Sequence, residues 1–246
     1  MKQLSATSND TIKKIVALHD AKGRKEQQQF IAHGIRTIQT LLQAGYQPMV
    51  LCATAEYYHQ AMALAPSATL LGITDAVART ITPSTTASGI VATFAIPTTT
   101  ATIGNQAVAL VQLQDPGNMG TLIRTAVAMN ISDVIIVEGC DPWHPKVIQA
   151  TAGTIGFARI HSLRWQQLVA LPQRPPLCAM VVQGGIALEQ LPSKEVILVI
   201  GNEANGLTAQ QIDDCPYRAT LSMPGKAESL NAAIAGAIGL YLIQQR

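Results

Sequence analysis

The stretch Ala107 to Ile136, AVALVQLQDPGNMGTLIRTAVAMNISDVII, constrains the fold more than any other part of this chain. An apolar run ends in Asp115-Pro116-Gly117-Asn118, a helical pattern of Leu122, Ile123, Ala126, Val127 and Met129 follows, and a second apolar run closes the unit. Strand, polar turn, helix and strand make a βαβ unit, the building block of a parallel sheet. In such sheets ligands meet the loops that leave the carboxyl ends of the strands. The turn offers an amide, a carboxylate and open backbone where chemistry is expected, and the helix behind it carries one cation, Arg124.

The 246 residues suffice for one large domain or two modest ones, and 48% hydrophobic against 13% charged residues describes a folded chain with a substantial core. The net charge of +2 is too small to announce a nucleic-acid protein, but it is unevenly spread. Residues 1–100 hold eight Lys/Arg against five Asp/Glu, and residues 101–246 hold nine against ten. Lys13, Lys14, Lys22, Arg24 and Lys25 supply most of the first excess, a cluster that either faces phosphates or is simply solvated. Cys52, Cys140, Cys178 and Cys215 stand apart with no C-x-x-C pair, which argues against a disulfide framework or a thiolate zinc site, and no metal is expected. No basic-then-apolar leader opens the chain, and Leu230 to Ile243 is too short to span a bilayer, so a soluble cytoplasmic protein is expected.

In the first part, Ser8 is expected to cap a helix over Asp10 to Leu18, Phe30 to Ala32 to form a short strand, and Ile35 to Leu42 a helix closed by Gly45. Met49 to Cys52 reads as a strand, Glu56 to Leu64 as a short helix and Ile90 to Ile96 as a further strand. Together these make a small α/β domain over residues 1–97. Thr82 to Gly89 is a loop of small polar residues with two readings, RNA contact through hydroxyls or an inert surface. The Thr-rich stretch from Pro97 to Asn105 is read as the linker, residues 98–106, and 107–246 as the second domain.

In that second domain Lys146 to Ala152 starts a helix, Leu177 to Val182 and Val196 to Ile200 are buried strands, and Ala219 to Ser222 is a last short strand. Thr208 and Gln211 have the spacing of a capping box. The C-terminal helix puts Leu230, Ile234, Ala237, Ile238, Tyr241 and Leu242 on one stripe and small residues over much of the rest, so burial against both the sheet and a partner chain is expected. Polar stretches interrupt the apolar runs at 115–124, 201–206 and 223–231. Their glycine turns fit neither the Walker pattern nor G-x-G-x-x-G, which disfavours a nucleotide-phosphate site. Alone, each has a plain structural reading: Asn118 as a helix cap, Glu203 facing water, Ser229 to Asn231 as an ordinary helix start.

Together, the three stretches resemble the three signature motifs of the SpoU (TrmH-like) branch of the SPOUT class of RNA methyltransferases. The first is Asp115-Pro116-x-Asn118-x-Gly120-x-x-x-Arg124-x-Ala126, and the second is Ile200-Gly201-Asn202-Glu203-x-x-Gly206-Leu207. The third is Met223-Pro224-Gly225-x-x-x-Ser229-Leu230-Asn231, leading into an Ala-rich helix. Asp141-x-x-x-Pro145-Lys146-Val147-x-x-Ala150-x-x-Gly153 is similar to the intervening segment. In front, Asn9-x-x-Ile12-Lys13, Arg24 and Phe30-x-x-x-Gly34-x-Arg36 resemble the small ribosomal-protein-like domain with which many members bind substrate RNA. Two positions depart from the pattern: His33 stands where members usually have Glu, and Ser88-Gly89 where Gln-Gly is frequent.

The resemblance implies an α/β fold, a parallel-sheet domain with a C-terminal deep trefoil knot preceded by a small ribosomal-protein-like α/β domain. It implies S-adenosylmethionine as cofactor, held near Gln183, Gly184, Ile200, Gly201, Leu221, Met223, Ser229 and Leu230. It also implies a homodimer with the active site near the subunit interface, and an RNA substrate contacted by Lys13, Lys14, Arg24 and Arg36. The implied reaction is methyl transfer to a ribose 2′-hydroxyl by a catalytic set of Asn118, Arg124, Glu203, Ser229 and Asn231. Large-subunit ribosomal RNA is the expected substrate. The alternatives are transfer RNA and a catalytically silent RNA-binding homologue. Arginine stays protonated in proteins, so the role of Arg124 stays open between proton acceptor and clamp on developing charge.

Overall fold

The structure is a computed structural model that describes residues 3–82, 88–98 and 102–245. Residues 83–87 of the small polar loop and 99–101 of the linker lie outside the described residues. Two compact units emerge, one within Met1–Thr98 and Trp143–Gly156, the other within Thr99–Pro142 and Phe157–Arg246.

The first unit contains β1 (Gln3–Leu4), α1 (Asp10–Ala17), α2 (Ala21–Gln27), β2 (Gln29–His33), α3 (Ile35–Gln43), β3 (Pro48–Ala53), α4 (Tyr58–Leu64), β4 (Leu70–Ile73), α5 (Asp75–Ile81) and β5 (Ile90–Ala95). Its sheet runs β1-β4-β3-β5-β2, with β5 antiparallel to β2 and β3 and the other pairs parallel. Ile12, Ile15 and Leu18 pack with Ile31, Cys52, Ile73, Val77 and Ile81 as its core. Asn9, rather than Ser8, caps α1: it directly precedes the first helical residue, and its side-chain oxygen accepts from the Thr11 N–H at 2.9 Å. Arg24 is a second correction. It is 2% exposed, and its Nη1 donates to the carbonyls of Leu18 at 2.8 Å and His19 at 2.9 Å. It satisfies orphan carbonyls at the end of α1 and is spent inside the fold, not on RNA.

The remaining elements are β6 (Ala107–Val111), α6 (Pro116–Ala128), β7 (Asp133–Val137), α7 (Pro145–Thr151), β8 (Arg159–Leu163), α8 (Trp165–Ala170), β9 (Leu177–Met180), β10 (Ile197–Ile200), α9 (Ala209–Asp213), β11 (Tyr217–Ala219) and α10 (Ala232–Gln244). All but α7 belong to the second unit. Sequence reading counts 143–156 with that domain, but the segment packs in the first unit. Trp143 is the reason: its ring lies 4.9 Å from that of Phe30, which also stacks on Phe94 at 5.6 Å, so the indole finds its burial among first-unit aromatics.

The second sheet is all parallel in the order β11-β9-β10-β6-β7-β8. Every residue of β6, β7 and β10 is buried, as expected of strands covered on both faces. From β6 the chain steps outward to β7 and β8, whereas β10 and β9 lie on the other side of β6. The β6–β10 junction is therefore the switch point at which such sheets bind ligands. β9 stops at Met180, two residues short of the expected strand, and β11 covers Tyr217–Ala219 instead of Ala219 to Ser222.

The sequence leaves open which face of α10 meets the sheet, and the structure gives that place to the small one. Ala233, Gly236, Gly239, Leu240 and Ile243 are buried, while Ile234, Ile238 and Tyr241 are exposed. A Cβ on Gly236 would lie 2.4 Å from Ile200 Cδ1 and 2.5 Å from Leu122 Cδ2. The small face permits that close approach, which turns the large apolar residues outward. Gly236→Val is expected to cost about 1–3 kcal/mol by overpacking, read from denaturant unfolding; an unchanged midpoint would show that the helix is not held this closely. Among the described residues no helix is long and apolar enough to cross a membrane.

Candidate active site

Three loops distant in sequence meet at the carboxyl ends of β6 and β10. The first begins α6, where the Asp115 carboxylate accepts from the Asn118 N–H at 2.7 Å and Pro116 occupies the first turn, which needs no donor there. The second is the 201–206 turn. A Cβ on Gly201 would sit 2.5 Å from the carbonyl carbon of Gly206 and 2.6 Å from the Leu207 nitrogen, so only glycine lets this turn close. Asn202 ties it to the first loop, donating from Nδ2 to the Gln112 carbonyl at 2.8 Å while its Oδ1 accepts from the Ala204 N–H at 2.8 Å. The third is Asn231, whose Oδ1 caps α10 by accepting from the N–H groups of Ala233 at 2.8 Å and Ile234 at 3.3 Å.

Asn118 joins all three. Its Nδ2 donates to Glu203 Oε1 at 3.1 Å, and its Oδ1 accepts from Asn231 Nδ2 at 3.2 Å. The orientation is forced by the partners, because an ionised carboxylate only accepts and the Asn231 oxygen is already engaged by the helix. Glu203 also accepts from the backbone N–H of Asp115 at 3.2 Å and of Gln114 at 3.4 Å. Burial pushes its carboxyl up, but the Asn118 amide and the backbone donors of Glu203, Asp115 and Gln114 outweigh that and hold its pKa below the ordinary value. Glu203 is thus a fixed anion.

Arg124 and Ser229 lie outside this network. Arg124 follows Asn118 by six residues on α6, a rotation of about 240° and a rise of about 9 Å. It is exposed, and among the described residues its guanidinium makes no hydrogen bond or ion pair. Ser229 instead lines a hollow of about 100 Å³ with Met180, Val181, Val182, Leu221, Met223, Leu230 and Ala235. A larger hollow of about 310 Å³ shares Leu221, Met223 and Leu230 and adds Thr220, Ser222 and Glu189. Thioether and aliphatic walls beside hydroxyls and a carboxylate fit an adenosine with an amino-acid tail.

Four of the eight expected cofactor residues, Leu221, Met223, Ser229 and Leu230, come together there. The other four line neither hollow: Gln183 and Gly184 are exposed, Ile200 is buried against Gly236, and Gly201 is taken up by its turn. Val181 and Val182 are absent from the expected set because the apolar run Leu177 to Val182 reads as strand to its end; the early stop of β9 frees them for the wall.

In the first unit Lys13, Lys14 and Arg36 are exposed, Lys13 lying 3.7 Å from the Asp10 carboxylate. His33 stacks on His19 with ring centroids 5.7 Å apart, and its Nδ1 lies 3.2 Å from Thr82 Oγ1. Burial, with the neighbouring His19, lowers its pKa to about 4, so a neutral ring stands where the resemblance led one to expect a carboxylate. Among the described residues no group of three or more His, Cys, Asp or Glu is placed to hold a metal ion.

Residues 105–241 match the SpoU rRNA Methylase family, and residues 9–92 match the MRM3-like substrate binding domain. A tRNA/rRNA methyltransferase of Synechocystis sp., itself uncharacterized, is 29% identical over 97% of this chain and 92% of its own. The 23S rRNA (guanosine(2553)-2′-O)-methyltransferase RlmP of Bacillus subtilis is 25% identical over 98% of both. The crystal structure of an AdoMet-bound rRNA methyltransferase from Sinorhizobium meliloti superposes with a TM-score of 0.88 at 28% identity, covering 99% of this chain and 97% of that one. Motifs, sheet order and these matches have one explanation: the chain belongs to the SpoU (TrmH-like) family of RNA methyltransferases and has its knotted SPOUT-type α/β fold behind a small substrate-binding domain.

Proposed function

We propose that this S-adenosylmethionine-dependent RNA 2′-O-ribose methyltransferase acts on large-subunit ribosomal RNA, as a homodimer in the cytoplasm. The observation that carries the reading is the convergence of Asn118, Glu203 and Asn231 at the β6–β10 junction. The ribosomal choice is supported by the match to a substrate-binding domain and by the Bacillus relative, whose name records action on 23S rRNA. Four free cysteines fit a reducing compartment.

S-adenosylmethionine, when bound, supplies a methyl already activated by its sulfonium. Leu221, Met223, Ser229 and Leu230 hold it. Asn118, oriented by Glu203 and Asn231, positions the substrate sugar. Glu203 is engaged by backbone donors and an amide, so it fixes geometry and is not the proton acceptor. Arg124 is turned away from its own chain's Asn118 and serves the site of a second copy. There its guanidinium stabilises the negative charge that develops on the 2′-oxygen. Lys13, Lys14 and Arg36 attract the RNA backbone.

The exposed apolar face of Ile234, Ile238 and Tyr241 on α10 is the surface such a pairing would cover. Replacing Ile234 and Tyr241 together by Asp is expected to yield a folded monomer in sedimentation, with transfer lost. A variant that stays dimeric, or a monomer with full activity, overturns the dimer. The activity test incubates the protein with labelled S-adenosylmethionine and separated ribosomal and transfer RNA, followed by nucleoside analysis and mapping. 2′-O-methyl label in large-subunit RNA is expected; label confined to transfer RNA, or on a base, overturns the assignment.

A further inference from the structure

A third cleft, about 450 Å³ in volume, opens beyond the carboxyl ends of β7 and β8 and belongs to neither the cofactor hollows nor the Asn118 cluster. Its lining includes Glu138, Cys140, Asp141, Pro142, Leu163 and Arg164. The loop that forms it is laced to the β6–α6 loop, whose backbone N–H groups hold Glu203: the Cys140 N–H donates to the Leu113 carbonyl at 2.8 Å, and Gln112 Nε2 donates to Glu138 Oε2 at 3.4 Å. Neighbouring strands lie roughly 4.8 Å apart. The cleft is thus two strand spacings, about 10 Å, from the β6–β10 junction, the scale of a nucleotide.

Resting on the RNA-methyltransferase reading above, we propose that this cleft is a base-reading subsite for a guanine of the substrate strand, its N1–H and 2-amino groups donating to the carboxylates of Glu138 and Asp141. Volume alone admits any base, since small-molecule sites begin near 300 Å³; charge decides. Asp141, Asp115 and Glu203 all act on the Cys140 thiol, which burial and these carboxylates push up to about 11. Of these carboxylates Asp141 lines the cleft itself, together with Glu138 and with Arg164 as the cation of the lining. A phosphate is repelled from such a place, whereas an uncharged edge carrying donors is attracted. Guanine is the base whose Watson–Crick edge presents two adjacent donors; adenine, cytosine and uracil each interleave a donor with acceptors. Pro142 and Leu163 supply apolar contact for the ring face, and RNA is read by proteins through such splayed, single-stranded bases.

The test uses the full chain with S-adenosylmethionine present and fluorescein-labelled RNA nonamers of adenosine whose central residue is guanosine, inosine or adenosine. Inosine keeps N1–H and lacks the 2-amino group. By fluorescence anisotropy the guanosine nonamer is expected to bind about tenfold more tightly than all-adenosine, with inosine between them. Glu138→Gln and Asp141→Asn should each remove most of that preference while leaving S-adenosylmethionine affinity, measured on the same samples, unchanged. Equal binding of the three nonamers, or a preference that survives both substitutions, overturns the subsite. Ribose methylation of ribosomal RNA without guanine preference would sink the subsite alone, whereas no transfer to any RNA would sink both readings.

Discussion

Arg124→Ala is expected to leave the protein folded and to lose most of its methyl transfer. An exposed side chain without a partner contributes little to stability, so the unfolding midpoint is expected to move by no more than about 0.5 kcal/mol. Arg124 lines neither cofactor hollow, so donor affinity should also hold. The loss appears in turnover, at about a hundredfold to a thousandfold for removal of one group that stabilises transition-state charge. Arg124→Lys restores part of it, because an ammonium keeps the charge and loses the planar fork. A mixed dimer tests which chain the arginine serves. Combining Arg124→Ala with Asn118→Ala subunits creates one intact site if the guanidinium acts on the other chain, and none if it acts on its own. Recovered transfer in the mixture is expected; no recovery would return Arg124 to its own chain. Turnover within tenfold of wild type would remove it from the chemistry.

The second large effect is on stability, at the amino end of the strands of the same sheet. Asp133 opens β7 and is 1% exposed, yet it is fully engaged. Its carboxylate accepts from Arg159 Nε at 2.8 Å, from His161 Nε2 at 2.8 Å and from the Gly104 N–H at 2.9 Å, with Arg159 Nη2 also in contact. Asp133→Ala leaves the buried His161 imidazole and the Gly104 N–H without their acceptor beside a half-exposed Arg159 guanidinium, which is expected to cost about 1–3 kcal/mol, a sizeable part of the roughly 5–15 kcal/mol that holds most domains. Burial alone would raise the Asp133 pKa. Hydrogen bonds from His161, Arg159 and Gly104, with the Arg159 charge, outweigh it and hold the carboxyl far below its usual range. A carboxyl depressed in the folded state contributes stability that is fully present above its unfolded pKa, about 3.9. That contribution is lost as pH falls from there through the folded value. Denaturant midpoints measured from pH 7 to pH 2 should therefore drop more steeply in the acid range for the wild type than for Asp133→Asn. Parallel curves would mean that Asp133 is not held as an anion.

Local patterns carried a good deal of this molecule. The unit of β6, α6 and β7 is legible because strand and helix periodicities switch cleanly around Asp115-Pro116, and the Thr208–Gln211 capping box forms as its spacing implies. Both depend on residues within a few positions of one another. β4, α5, β8 and α8 escaped because each is short and their apolar residues show no clean period. With β8 went Arg159 and His161, and so any sign that Asp133 is buried and paired.

The motifs of the sequence by itself marked Asn118, Glu203 and Asn231 as chemically important and placed them in a family. That Asn118 holds Glu203 across 85 residues and Asn231 across 113 was decided only in three dimensions, by a β10 inserted beside β6. Tertiary structure also decided that Arg24 closes a helix, that Trp143 joins the first unit, and that α10 turns its small face inward. The reason is common to all of these. Spacing along the chain sets which residues share a face, but which face is buried depends on the shape and polarity of a surface that distant residues assemble.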